Sequence, residues 1–600
     1  MGLTLKTSPA SSDRFRYFYF LTTTRFCQCH RFTMTKPLRA VAFFIWQGIA
    51  LVSSFPVVSS SRHLTIQIRN RLPRKIQQQR HHLIQLKDAS ADASDDVSVG
   101  KVPNVEPFLA GIKRDFGNRL PQYRSDITDG LNAQSLATIM FLFFACLAPA
   151  IGFGSVLGAA TSNTMGVIEM IASTAASGVL YALLSAQPVQ LIGPQGPVVA
   201  YIAALYQLAH FLNVPFLGLY AWTGLYASGF LALFAAISAS NLVQHLTRWT
   251  DEIFSVLVSV IFLNQAVGDV RKTFSAAGPP VTALLTLLSS SLTFGTAITL
   301  RNLNKTNYFT NKIRKNLSNF APAIGVVVGT LAARSARVHW GTVAALPSLT
   351  LPAKFATSTG RPWLVSLSTL PVSARWTAAL PAGLAAAVLI YLDQNITARL
   401  VNHPRFKQTK GKRTSVLCGM HGDMLVLAGI TAISSLLGLP WMCGAPTRSA
   451  AHVRALSVCG DNADIKGTLE NRVSGFSIHS LIGLCAAAAA PRNLLAQVPA
   501  CVLSGVFLYL GFTSLQGLDM WDRIRGLAKD EQDERFRAVK SPVVTIFTIA
   551  QLVCLYAMMK ITQSKYGVMS PLLIALLPFA RWAMLRAGLV TKEDLKTLDS

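Results

Sequence analysis

Charge is scarce in this chain, and negative charge is scarcest. Only 14% of its 600 residues are Asp, Glu, Lys or Arg, and 27 acids face 55 bases. Against this stand 51% apolar residues and a mean hydropathy of +0.41, a balance that excludes an ordinary water-soluble domain. The nine cysteines do not make a disulfide scaffold: Cys146, Cys418, Cys443, Cys485, Cys501 and Cys554 each stand alone in or beside apolar segments and read as packing residues. Cys27-Gln28-Cys29-His30 has the spacing of half a metal site, but no second ligand pair follows it. No nucleophile, base and orienting group occur at usable spacing, which argues against an enzyme. The net charge of +28 invites a nucleic-acid reading, but position argues against it. The bases crowd the first 125 residues and short loops between apolar runs, with no basic face carrying interleaved aromatics.

What is abundant is apolar runs near the length that crosses a bilayer, about 20 residues each. About fourteen can be placed by hydropathy, centred near residues 143, 176, 197, 228, 261, 291, 328, 386, 429, 449, 481, 506, 551 and 578. They predict an all-α membrane protein whose segments group as seven, a polar interval over 341–372, and seven more. The expected division is a presequence and linker over 1–104, a first repeat over 105–340, a second over 373–590 and a tail over 591–600. Basic loops follow the sixth and eighth segments (Arg301, Arg314, Lys315; Arg399, Arg405, Lys407, Lys410), and further bases lie in 113–124 and 523–540. In a fourteen-span count all of these fall on one side, which the positive-inside rule makes the cytosolic one or its equivalent.

Upstream, Lys36 and Arg39 precede an apolar run over 40–52 and then Ser53 and Ser54, the parts of a secretory signal. An Arg-rich stretch without acids until Asp88 follows, with the composition of an organelle transit peptide. Together they resemble the bipartite presequence of complex plastids, with Val52-Ser53-Ser54-Phe55-Pro56 like its phenylalanine-centred cleavage motif. The expected location is a plastid envelope, the alternative the plasma membrane.

An odd number of spans per half inserts two related halves in opposite directions, the inverted-repeat plan of secondary carriers. Such carriers bind solute at the midplane, where broken helices meet. Each third segment is broken by Pro and Gly: residues 187–197 (QPVQLIGPQGP) and 438–448 (GLPWMCGAPTR). Proline cannot donate a backbone hydrogen bond, so both stretches are expected to unwind and to present the N-terminal N–H groups of a half-helix. Two such ends facing one another attract an anion. The candidate binding residues are Pro194, Gln195 and Gly196 in the first stretch and Ala445, Pro446, Thr447 and Arg448 in the second. The bland reading is a pair of proline kinks. Asp393 closes an apolar run and is costly there unless partnered or hydrated. Thr397, one turn on, shares its face, so the pair is a candidate cation-coupling site. Arg448 is placed to balance Asp393, to hold an anion, or both. Asp251-Glu252 reads as an interfacial cap.

From about residue 111 to 599 the order of motifs resembles the bicarbonate and anion transporter family, which includes band-three-like exchangers, sodium-bicarbonate cotransporters and borate transporters. The resemblance is carried by Tyr123-Arg124-Ser125-Asp126-Ile127-Thr128-Asp129, Leu147-Ala148-Pro149-Ala150-Ile151-Gly152-Phe153-Gly154, Ala186-Gln187-Pro188 and Glu252-Ile253-Phe254-Ser255. It continues in Asp393-Gln394-Asn395-Ile396-Thr397, Gly438-Leu439-Pro440-Trp441, Thr447-Arg448-Ser449 with His452, and residues 505–515 (GVFLYLGFTSL). It implies a seven-plus-seven inverted repeat in which a core rocks against a gate, usually in a homodimer. Bicarbonate, carbonate, chloride or borate is the implied substrate and membrane lipid the surroundings. No cofactor is implied beyond sodium as a coupling ion. Aspartate at position 393 is the residue of sodium-coupled and borate members, whereas Arg448 matches the exchanger arginine. Exchangers carry hydroxyl-bearing residues where Ala445 and Pro446 stand here. The expected function is bicarbonate transport by alternating access, with a borate transporter as the alternative; a scaffold that transports nothing does not account for two matched broken helices.

Overall fold

The structure is a computed structural model. It describes residues 106–598 apart from 246–247, 276–279, 304–305, 307, 311–312, 315–316, 319, 342–345, 350, 353, 411–418, 460–464, 517, 530–538, 540 and 563–569. The presequence, the Cys27–His30 cluster and parts of the basic loops therefore lie outside the described residues.

A half-buried helix, α1 (Ala110–Arg119), and a short α2 (Tyr123–Thr128) precede the apolar part. The first seven segments are α3 (Ala133–Ala160), α4 (Val167–Leu184), β1 (Ile192–Gly193) with α5 (Gly196–Phe211), α6 (Phe216–Ala236), α7 (Arg248–Ser275), α8 (Pro280–Asn302) and α9 (Ala321–Trp340). The next group comprises α10 (Leu380–Val401, entered through a π-turn), α11 (Met420–Leu436), β2 (Cys443–Gly444) with α12 (Pro446–Leu456), a short hairpin β3 (Ser457–Cys459) and β4 (Ile465–Thr468), and α13 (Val473–Ala487). It ends with α14 (Ala489–Leu495), α15 (Ala500–Leu515), α16 (Asp519–Lys529), α17 (Ser541–Thr562), α18 (Ser570–Arg586) and α19 (Lys592–Leu598).

Every hydropathy centre falls inside one of these helices. Among the described residues, seven helices are long and apolar enough to cross a membrane unaided. Two further spans are bent: α13 turns by 83° into α14, and α15 by 77° into α16. The third segments fall short because each is part extended chain and part helix, and α9 ends in Arg334, Arg337 and His339.

Packing sorts the helices into two bodies. In one, α4 lies against α13 and α3, α6 against α10 and α11, and α12 against α3. In the other, α7 lies against α15 and α17, α8 against α9 and α15. These are the core and gate of the expected fold. Two crossings between the bodies are tied to each other: Leu349 N–H donates to Val498 O (3.1 Å) and Ala500 N–H to Pro347 O (2.8 Å). Pro347 and Leu349 belong to the segment joining α9 to α10, Val498 and Ala500 to the turn leading from α14 into α15.

Buried charge pins both bodies. Glu252 is not an interfacial cap: it is buried in the gate, where its Oε2 accepts from Arg523 (2.6 Å) and Gln551 (2.9 Å), joining α7, α16 and α17. In the core, Arg119 forks onto Asp126 (2.6 and 2.9 Å) and also reaches Glu470 (2.9 Å). Asp115 of α1 accepts the His421 and Gly422 N–H groups at the start of α11 (2.9 and 3.1 Å).

Burial pushes the Asp115 carboxyl up to about 6, against the pull of those N–H groups and of Arg114. The folded chain therefore holds a proton there that the unfolded chain releases between roughly pH 4 and 6, and stability declines as pH rises through that window. Thermal unfolding across pH 4–7 should show this loss, up to about 3 kcal/mol, and Asp115→Asn should flatten the slope.

Candidate functional site

The two broken stretches unwind where their prolines demand it and meet at once. Ile192 pairs with Gly444 and Gly193 with Cys443 in a two-residue antiparallel ladder. Beyond it, Ala445 N–H donates to Leu191 O (3.0 Å), while Ser449 Oγ both accepts from Leu191 N–H and donates to Leu191 O (3.0 Å each). The backbone groups freed by unwinding are thus met by the opposite half of the chain, as an apolar medium requires. The two glycines leave room for different neighbours. A Cβ on Gly193 would lie 2.7 Å from Arg448 Nη1, and one on Gly444 2.8 Å from Thr397 Oγ1 and Gln190 Nε2.

A wall of polar contacts holds the crossing from behind. His452 Nδ1 lies 2.6 Å from Val189 O, and His479 Nε2 lies 3.2 Å from Ile192 O. Asp423 Oδ1 accepts from Ala186 and Gln187 N–H (2.7 and 3.0 Å), fixing the point where α4 ends and the first stretch begins. Around the second stretch, Tyr220 stacks on Trp441 with ring centroids 4.4 Å apart and donates to Leu439 O (2.7 Å), while Ser173 donates to Pro440 O (2.5 Å).

From this crossing α5 and α12 start without side-chain caps on Gln195 and Ala445. Proline in the first turn of each leaves the N–H groups of Gly196, Val198, Thr447 and Arg448 as the free first-turn donors. Pro194, Gly196 and Ala445 are buried, Gln195 and Pro446 half-buried, and Thr447 exposed. Arg448 is 6% exposed; its Nη2 donates to Pro194 O (2.6 Å), bridging the two halves. Its Nη1 is buried without a hydrogen-bond acceptor, and beside the guanidinium lies the Cys146 thiol, a weak acceptor at best. A buried cationic donor thus stands at the crossing with one nitrogen lacking a strong acceptor.

Asp393 is not hydrated at a helix end. It is 2% exposed, and its Oδ2 lies 3.4 Å from the Cys443 thiol, which donates to it. Asp393 and Arg448 form no ion pair. The Thr397 hydroxyl donates to the Asp393 backbone carbonyl (2.7 Å) rather than sharing a ligand field with the carboxylate. Among the described residues no group of three or more His, Cys, Asp or Glu comes together as a metal site.

A cavity of about 640 Å³ leads to the site. It runs beside α5 from Gly196 to Phe211, with Phe153 of α3, Phe262 of α7 and Phe507 of α15 among its walls. The three rings lie 5.3 to 6.0 Å apart, centroid to centroid, and draw from both bodies.

The family model for the HCO3- transporter integral membrane domain matches residues 107–279 and 276–600. The chain belongs to this family. It is 33% identical to the mouse band 3 anion transport protein over 525 residues, covering 82% of this chain and 55% of that one. Against human anion exchange protein 2 the identity is 30% over 582 residues, covering 86% and 45%. The chain thus spans about half the length of the curated relatives it matches. In fold it is similar to the transmembrane domain of the cyanobacterial bicarbonate transporter BicA (TM-score 0.51, 14% identity, 74% and 98% covered). It is also similar to murine Slc26a9 in its inward-facing state (TM-score 0.52, 13% identity, 83% and 75% covered).

The sequence points to both broken stretches and to Arg448, Asp393 and Thr397. It does not point to Tyr220, Asp423 or His479 as supports. Asp423 and His479 were detectable as isolated ionisable residues in apolar runs; Tyr220 gives no local signal. Ser449→Ala removes the Leu191 N–H acceptor and should cost about 1–3 kcal/mol, read as a lower thermal unfolding temperature of the purified protein.

Proposed function

We propose that this protein carries small inorganic anions, bicarbonate foremost, across a membrane by alternating access, with the β1–β2 crossing as the binding site. The observation that carries the reading is the uncapped pair of helix N-termini joined by Arg448, whose Nη1 is left without an acceptor. An anion between them would take N–H donors from both halves and a charge-assisted bond from the guanidinium. The two halves are read as an inverted repeat, and the core would move against the gate as one copy of a homodimer.

Exchange against chloride is favoured over sodium coupling. A buried, permanent cation already stands at the site, and Asp393 is engaged by a thiol instead of lying in an oxygen cage. Boric acid, mostly uncharged near neutral pH, gains less than bicarbonate from the same fixed positive charge. With the basic loops inside, α3 and α5 finish on the opposite face, so the cavity beside α5 is read as the outer approach to the site. The composition of the first 100 residues supports delivery to a plastid envelope, which imaging of a fusion to that segment tests.

Labelled bicarbonate uptake into proteoliposomes should require internal chloride and proceed without sodium. Arg448→Ala should lower the flux on the order of a hundredfold while the protein still folds and inserts. Gly193→Ala, which pushes the guanidinium aside, should do the same. Normal flux in Arg448→Ala removes the site. Sodium-dependent, chloride-independent uptake replaces exchange with cotransport.

A further inference from the structure

A second and larger hollow lies away from the anion site. It has a volume of about 1320 Å³ and is bounded by α3 of the core, α9 and the start of α15 of the gate, and the 494–499 turn. That exceeds the roughly 300–1,000 Å³ of ordinary small-molecule pockets, and its walls are almost wholly apolar: Phe144, Ile151, Val327 and Leu331 are typical. Val327 and Leu331 are 56% and 57% exposed, so the hollow faces what surrounds the protein. For a helix bundle in a bilayer, that is lipid.

Its charged rim is one-sided. Arg334 and Arg337, three residues apart on the last turns of α9, are the charged side chains among the described lining residues. The chain supplies no nearby carboxylate in sequence, since no Asp or Glu occurs in residues 130–168, 270–392 or 471–518, the stretches from which every described wall residue comes. Among the described residues, Arg334 Nη1 lies 3.4 Å from the uncharged Gln497 Oε1. From Arg334 back to Phe320 the helix runs about 21 Å, comparable to an extended acyl chain.

We infer that this hollow is a binding site for one anionic phospholipid, its phosphate on Arg334 and Arg337 and its acyl chains along α9 between core and gate. A guanidinium pair matches a phosphate in charge and geometry, and two cations at headgroup depth attract an anionic lipid where a zwitterionic one gains little. A lipid lodged there touches both bodies, so its exchange is tied to their relative movement.

The test is native mass spectrometry of the full-length protein released from nanodiscs containing equal phosphatidylglycerol and phosphatidylcholine. Wild type should retain phosphatidylglycerol over phosphatidylcholine by roughly tenfold. The Arg334→Gln/Arg337→Gln double variant should lose that preference, and Leu331→Trp, which fills the hollow, should lower total retained lipid with the arginines intact. Lys113→Gln, an exposed base on α1, should behave as wild type. Equal retention of the two lipids by wild type, or unchanged selectivity in the double arginine variant that still unfolds at its usual temperature, overturns the site. The readout does not involve anion flux, so it stands apart from the fate of the transport reading.

Discussion

The fold depends on how two interrupted helices satisfy their backbone inside an apolar slab. Each unpaired N–H or C=O there costs several kcal/mol, and the prolines guarantee that some cannot be paired within their own segment. The chain's answer is to let the two interruptions pair with each other in antiparallel register, Ile192 to Gly444 and Gly193 to Cys443, and to line the remainder with Ser449, His452, His479 and Asp423. The first turns of α5 and α12 carry no side-chain cap, and one nitrogen of Arg448 has no hydrogen-bond acceptor.

Much of this is legible in the sequence alone. The fourteen hydropathy centres all fall in helices because a bilayer imposes length and apolarity on a segment almost regardless of its neighbours. The two broken stretches were legible for a related reason, since Pro and Gly in an apolar run act locally. The partners of the charged residues were not. Glu252 follows Arg248 and Asp251 at a helix start and so reads as a cap, but its partner Arg523 comes from a segment 271 residues away. Thr397 shares a helix face with Asp393, yet its hydroxyl bonds the carbonyl four residues back, a choice settled by rotamer and not by spacing. The thiol that reaches Asp393 belongs to a cysteine whose nearest sequence neighbours suggested only packing.

Charge is used sparingly and in different ways in the two bodies. In the core, Arg119, Asp126 and Glu470 knit α1 and α2 to the hairpin side of the bundle, so these two helices, ahead of the first span, are part of the body. In the gate, Glu252 and Arg523 are both buried and close on each other. Removing one partner of such a pair costs about 3–5 kcal/mol because the other is stranded, which makes these pairs fix geometry more than they add stability.

The bonds between residues 347–349 and 498–500 give the two bodies a shared fulcrum. The chain passes from gate to core after α9 and from core to gate before α15, and these two passages are laced together instead of running as separate tethers. A pair of independent tethers would let the bodies shear and twist as well as tilt. Lacing couples the two passages at this edge, so that neither can shift without the other while these bonds hold.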